Sequence, residues 1–150
     1  MPKEEKMYLI SNVSEDYAHC KNEQEFKKLY VTRELHRKGT SQKIFCIETE
    51  ETVAGFPDVM ELVTISAGSC TQAFFYEFKI SDLSGSIKFQ PTQPAFYKHN
   101  SELPIKVVAY NRFSKRVHVF STNEISNKES PYYTTNGRVG LTGVEKEIGL

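Results

Sequence analysis

The sequence predicts an α/β protein: a central mixed β-sheet flanked by helices. One stretch without glycine or proline, residues 22–38, repeats apolar residues at helical spacing. Five later runs are rich in β-branched and aromatic residues. Their order is helix, strand, strand, strand, helix, strand, strand, which suits helices layered on a sheet rather than a bundle or a barrel.

The elements follow in turn. Residues 1–21 are mixed and polar, with "MYLI" a candidate short strand. In "NEQEFKKLYVTRELHRK" (22–38), Phe26, Leu29 and Tyr30 recur at helical spacing, and Gly39 follows as a stop. Asn22 is a reasonable N-cap, and Glu25, three positions on, completes a capping-box pattern. "KIFCIET" (43–49) reads as a strand. "VAGFPDVMELVTI" (53–65) breaks at Gly55-Phe56-Pro57 and then runs on as an apolar strand. After the turn signal "AGS" (67–69) comes "TQAFFYEFKI" (71–80), so the two runs predict a hairpin. "SDLSGS" is a loop, and "TQPAFYKHN" (92–100) a short helix with Pro94 in its first turn. "LPIKVVAYN" (103–111) and "RVHVF" (116–120) are strands joined by the polar turn "NRFSK". Residues 1–125 are expected to form one domain. Residues 126–150, rich in Ser, Asn, Thr and Gly, are expected as a C-terminal tail, either flexible or folded into a small hairpin.

Composition excludes several classes. A chain of 150 residues holds one core and little more. With 39% hydrophobic and 25% charged residues, a soluble globular protein is expected. No apolar run is long enough to span a bilayer, and no apolar segment follows the charges of "MPKEEKMYLI". A cytoplasmic location is therefore expected. Cys20, Cys46 and Cys70 are odd in number and too widely spaced for a zinc site or a disulfide framework. Net charge is zero, but it is unevenly placed. Residues 1–78 carry nine Lys/Arg against thirteen Asp/Glu, and residues 79–120 seven against two. Such a division suits acids at a reaction centre with bases around a phosphate backbone; solvated surface explains it equally well.

The chemistry gathers around residues 58–79. Side chains alternate along a strand, so Phe74, Tyr76, Phe78 and Ile80 share one face and Phe75, Glu77 and Lys79 the other. A hairpin partner brings the start of "PDVMELV" alongside, and with it Asp58 towards Glu77. Two neighbouring carboxylates raise one another's pKa unless a cation sits between them. Mg²⁺ (or Mn²⁺) is the natural occupant, a hard ion that takes carboxylates and bridges to phosphate. Lys79 then stands beside metal-bound water, able to orient it or to neutralise charge on the reacting phosphate. A plain Glu77–Lys79 contact with Asp58 far away would also satisfy the buried charges.

The series Gly55, Pro57-Asp58, Glu77-Phe78-Lys79 and then Gln93 ahead of Phe96-Tyr97 resembles the signature of the PD-(D/E)xK nuclease superfamily. Its nearest likeness is to the VRR-NUC and the phage or archaeal Holliday-junction-resolvase-like branches, over about residues 22–120. The resemblance implies a restriction-endonuclease-like core and a Mg²⁺-dependent endonuclease acting on branched or duplex DNA in recombination, repair or phage DNA processing. A phage-encoded protein would act in the host cytoplasm. The resemblance implies Asp58 and Glu77 as metal ligands and Lys79 as base or stabiliser. Gln93 would hold the attacking water or a phosphate oxygen, with Gln90 as its competitor. It also implies an acid on the first helix facing the metal. Glu25 is favoured over Glu34, although Glu25 has a bland explanation as the capping partner of Asn22. Lys88, Lys98, Arg112, Lys115 and Arg116 are candidate phosphate contacts. His19, His36 and His118 show no ligand pattern. Resolving a junction would require a two-fold homodimer. A non-catalytic nucleic-acid-binding module on a nuclease-like fold is the alternative.

Overall fold

The computed structural model describes residues 8–12, 15–35, 42–48, 54–65 and 70–150. In chain order these form β1 (Tyr8–Asn12), α1 (Glu23–Tyr30), β2 (Gln42–Glu48), β3 (Val59–Ile65), β4 (Cys70–Ile80), β5 (Ser86–Lys88), α2 (Thr92–His99), β6 (Ile105–Asn111), β7 (Arg116–Ser121), β8 (Arg138–Gly140) and α3 (Leu141–Glu147). Six strands make the central sheet, ordered β1-β7-β6-β4-β3-β2, and β5 pairs with β8 separately. The central sheet is mixed, as expected. Its β4–β6 pair is parallel and bridged by α2, and the other neighbours are antiparallel. No described helix is long and apolar enough to cross a membrane.

The alternation of β4 divides the core into two layers. On one face Tyr76 and Phe78 join Val108, Tyr110 and Val117 beneath α1. Phe26 of α1 is fully buried there, its ring 5.4 Å from Tyr17, 5.9 Å from Phe78 and 5.8 Å from Tyr110. Such edge-on and tilted aromatic pairs add to the area they bury. On the other face Phe75, Val107, Ala109 and Phe120 lie beneath Tyr97 of α2 and the C-terminal segment.

Within the described residues, the expected helix over residues 22–38 is less regular. After Tyr30 it widens into a π-helical turn, Val31–Leu35, which buries Leu35. Residues 36–38, Gly39 and the "AGS" turn lie outside the described residues.

Residues 126–150, expected as a flexible tail or small hairpin, contribute to the main core instead. Tyr132 and Leu141 are fully buried, and Val139 and Val144 belong to the same cluster as Val107 and Phe120. Tyr132 stacks on Phe120 with ring centroids 4.0 Å apart. Turn-forming residues dominate the composition here, but Tyr132, Val139, Leu141 and Val144 pack into the core, while Tyr133, Ile148 and Leu150 stay exposed. Glu145 of α3 is buried and accepts hydrogen bonds from Asn111 (2.6 Å), Ser114 (2.8 Å) and Arg116 (2.6 Å). His118 Nε2 lies 2.8 Å from it.

Candidate active site

The β3–β4 register pairs Val59 with Tyr76, so one further step sets Asp58 opposite Glu77. Asp58 precedes β3 and is fixed there, because its Oδ2 accepts a 3.1 Å hydrogen bond from the Phe78 amide. The approach to Asp58 is shaped by Gly55. Its φ of +85° is one that residues with a Cβ rarely adopt, and a Cβ there would collide with the Thr92 carbonyl and lie 2.8 Å from Phe96 Cβ. Phe56 then packs edge-on between Phe75 of β4 and Phe96 of α2. The "GFPD" segment is therefore seated on the helix that carries Gln93.

Glu77 is 3% exposed and Lys79 6%. Both point to the α2 face of β4, where Gln93 joins them. Gln93 Nε2 donates to Glu77 Oε1 at 2.8 Å, while its Oε1 accepts from Lys79 Nζ at 2.9 Å and from the Gln90 amide at 2.9 Å. One amide thus holds the acid with its donor end and the ammonium with its acceptor end. The Phe89 ring supports Lys79 from another side, 5.2 Å from Nζ. Gln90, the competing candidate, takes part through its backbone.

Burial first, then a hydrogen bond and charge from Asp58, push Glu77 up to about 10 despite the opposing Lys79 ammonium. Burial and the neighbouring carboxylate thus favour the protonated form of Glu77. The Tyr97 hydroxyl is buried close to the two carboxyls, and burial followed by their charges keeps it neutral. Two carboxyl groups brought together across neighbouring strands offer the oxygen donors that a hard divalent cation takes.

The first-helix acid that reaches this place is neither Glu25 nor Glu34. Glu25 is engaged in the cap: its amide donates to Asn22 Oδ1 at 2.9 Å, and its carboxylate accepts from the Lys21 amide. Glu34 lies on the π-helical turn, beside a different depression bounded by Tyr17, Tyr30 and Val117. Glu23, the first residue of α1, faces the cleft instead. Shielding there raises its carboxyl above the ordinary range; Lys79 opposes that shift, Asp58 adds to it, and the Ile80 amide bonds to it. Among the described residues, no three His, Cys, Asp or Glu side chains already converge as a ligand set.

Glu23 and Asp58 line a cleft of about 510 Å³, with Lys21, Lys27 and Arg112 on its wall. Arg112 has a structural engagement, because its Nη2 donates to the Lys21 carbonyl at 2.9 Å and so fastens the start of α1. Arg116 is held by Glu145 at 2.6 Å and by Asn12 at 3.0 Å, so its guanidinium is committed away from the cleft. Lys88, Lys98 and Lys115 are exposed, and none of them lines the cleft.

No protein-family model matches the chain, and no curated protein or solved structure matches it. The functional reading therefore stands on the residues and their arrangement.

Proposed function

We propose that the chain is a Mg²⁺- or Mn²⁺-dependent endonuclease of restriction-endonuclease-like architecture, hydrolysing phosphodiester bonds in DNA. One observation carries this reading: Asp58 and Glu77, nineteen positions apart, come opposite each other across neighbouring strands, Glu77 in a buried hydrogen-bonded cluster with Gln93 and Lys79, and Asp58 on a cleft walled by Lys21, Lys27 and Arg112. Asp58, Glu77 and Glu23 are the residues that would hold the ion. When bound, such an ion makes water more acidic and neutralises phosphate charge. The chain's own groups do the rest. Lys79 keeps an ammonium within reach of a water or phosphate oxygen at Glu77, and Gln93 fixes both side chains. Lys21 and Lys27 attract the polyanion. The expected setting is the cytoplasm of a cell or of an infected host.

The test is incubation with branched, nicked, single-stranded and linear duplex DNA, with and without Mg²⁺ or Mn²⁺. Divalent-dependent cleavage is expected, lost by at least about a hundredfold in Asp58→Asn and Glu77→Gln, the scale associated with removing one electrostatic contact to the transition state. Unchanged cleavage in both variants would remove the assignment. The second reading, a non-catalytic nucleic-acid-binding module, draws on the lack of a ready-made three-ligand set among the described residues. Salt-dependent binding of DNA without cleavage of any substrate would favour it.

A further inference from the structure

The parallel-paired strands β4 and β6 end at Ile80 and Asn111. The loops that follow, 81–85 and 112–115, stand side by side beyond these carboxyl ends, where ligands of open α/β sheets commonly bind. The two loops are tied together. The Ser81 amide donates to the Tyr110 carbonyl at 2.9 Å, and the Arg112 amide to Ser81 Oγ at 2.8 Å. Each loop is also braced internally. Asp82 Oδ1 accepts from the Ser84 amide, the Ser84 hydroxyl and the Ser86 amide at 2.7–3.0 Å. Asn111 Oδ1 accepts from the Phe113 amide at 2.9 Å.

These braced loops carry large apolar residues outward: Leu83 is 79% exposed and Phe113 64%. The braced, mutually tied loops hold both apolar side chains in place at the end of the sheet. The adjoining charge is basic. Leu83 borders a depression that also takes in His19, Lys21, Arg112 and Lys115, and it meets the catalytic cleft at Lys21 and Arg112. The one acid in these loops, Asp82, is occupied by its own turn. Lys115 holds φ at +63°, a conformation that disfavours a side-chain-bearing residue and so marks the turn as constrained.

We propose that Leu83 and Phe113 form a base-contacting tip that takes an unstacked nucleotide of the substrate, with Lys115 and Lys21 on the flanking phosphates. An aromatic face beside cations, next to a cleft that accepts a phosphodiester, is the arrangement that binds unpaired bases without reading their sequence. The inference rests on the nucleic-acid reading of the cleft. It specifies that the preferred substrate carries an unpaired base near the scissile bond.

The experiment measures binding in EDTA, so that it does not depend on cleavage. The probes are a fully paired duplex and the same duplex with one unpaired 2-aminopurine. Wild type is expected to bind the second about tenfold more tightly, with the 2-aminopurine emission quenched by stacking. Phe113→Ala and Leu83→Ala should abolish the preference and the quenching while leaving paired-duplex affinity and melting temperature unchanged. Lys115→Ala should weaken both probes alike. Equal binding of the two probes by wild type, or a preference retained in both loop variants, overturns the proposal. Self-association that disappears in Phe113→Ala, with no preference between probes, also overturns it and assigns the tip to contact between copies of the chain. Cleavage by wild type without the preference sinks this inference alone; the preference without cleavage sinks the nuclease reading alone.

Discussion

Glu77 is buried opposite Asp58, and burial and Asp58 push its pKa up, so ionising it in the metal-free protein is a liability. Replacing it by the isosteric amide removes that liability. Glu77→Gln is expected to melt at the same temperature as wild type or a few degrees higher in EDTA, while losing divalent-dependent cleavage. A marked drop in melting temperature would show that the carboxylate stabilises the fold instead. Gln93→Leu keeps the volume but releases both Lys79 and Glu77. It should reduce turnover about a hundredfold or more with folding preserved, read from single-turnover cleavage beside a thermal melt. At this scale much was legible: Asp58, Glu77 and Lys79 stood out because strand alternation and one hairpin bring them together. Glu23 did not stand out. Helical periodicity cannot tell which of several glutamates in a first turn faces inward once the cap engages one of them.

Two elements set the geometry around these residues. The Gly55–Pro57 turn rests on α2, and Gly55→Ala introduces a Cβ against the Thr92 carbonyl in a backbone conformation that resists it. The expected result is a destabilisation of about 1 kcal/mol or more, with a larger relative loss of cleavage because Asp58 moves relative to Gln93. Urea melts and cleavage rates measure the two effects separately. Helix α3 is held through Glu145 and His118. Burial lowers the His118 pKa below 6.5 despite Glu145, and the hydrogen bonds of Arg116, His118, Ser114 and Asn111 outweigh burial and lower that of Glu145 below 4.5. Both groups bind protons more weakly folded than unfolded. The contribution of this pair to stability is therefore fully present above about pH 6.5 and falls as the pH drops through 6.5 and then 4.5. Glu145→Gln should flatten the lower part of that fall in a series of thermal melts. The capping box of α1 and the strong strands were readable from residue type. The three-residue strands β5 and β8 were not, since runs that short carry no periodicity.

Across the whole molecule, the last twenty-five residues, 126–150, complete the cover that α2 begins over one face of the sheet. Tyr132→Ala should lower stability by about 3–5 kcal/mol, the usual cost of deleting a buried aromatic ring, as measured by chemical denaturation. Removing residues 126–150 should abolish the cooperative transition altogether. Composition pointed the other way because Ser, Asn and Gly outnumber the apolar residues there, whereas a few well-placed rings and branched side chains suffice to fill a core. The mixed sheet, by contrast, followed from the order of helical and β-rich runs. Helix α3 is also stitched to the loop that carries Leu83: the Leu141 amide donates to the Gly85 carbonyl at 2.8 Å and Thr142 Oγ1 to the Ser84 carbonyl at 2.9 Å. One residue on, Gly143 is exposed, and a side chain there would meet nothing within 4 Å. A reporter dye at that spot would ride on the same framework as the loop, giving a readout of substrate arrival without touching any group that meets the nucleic acid.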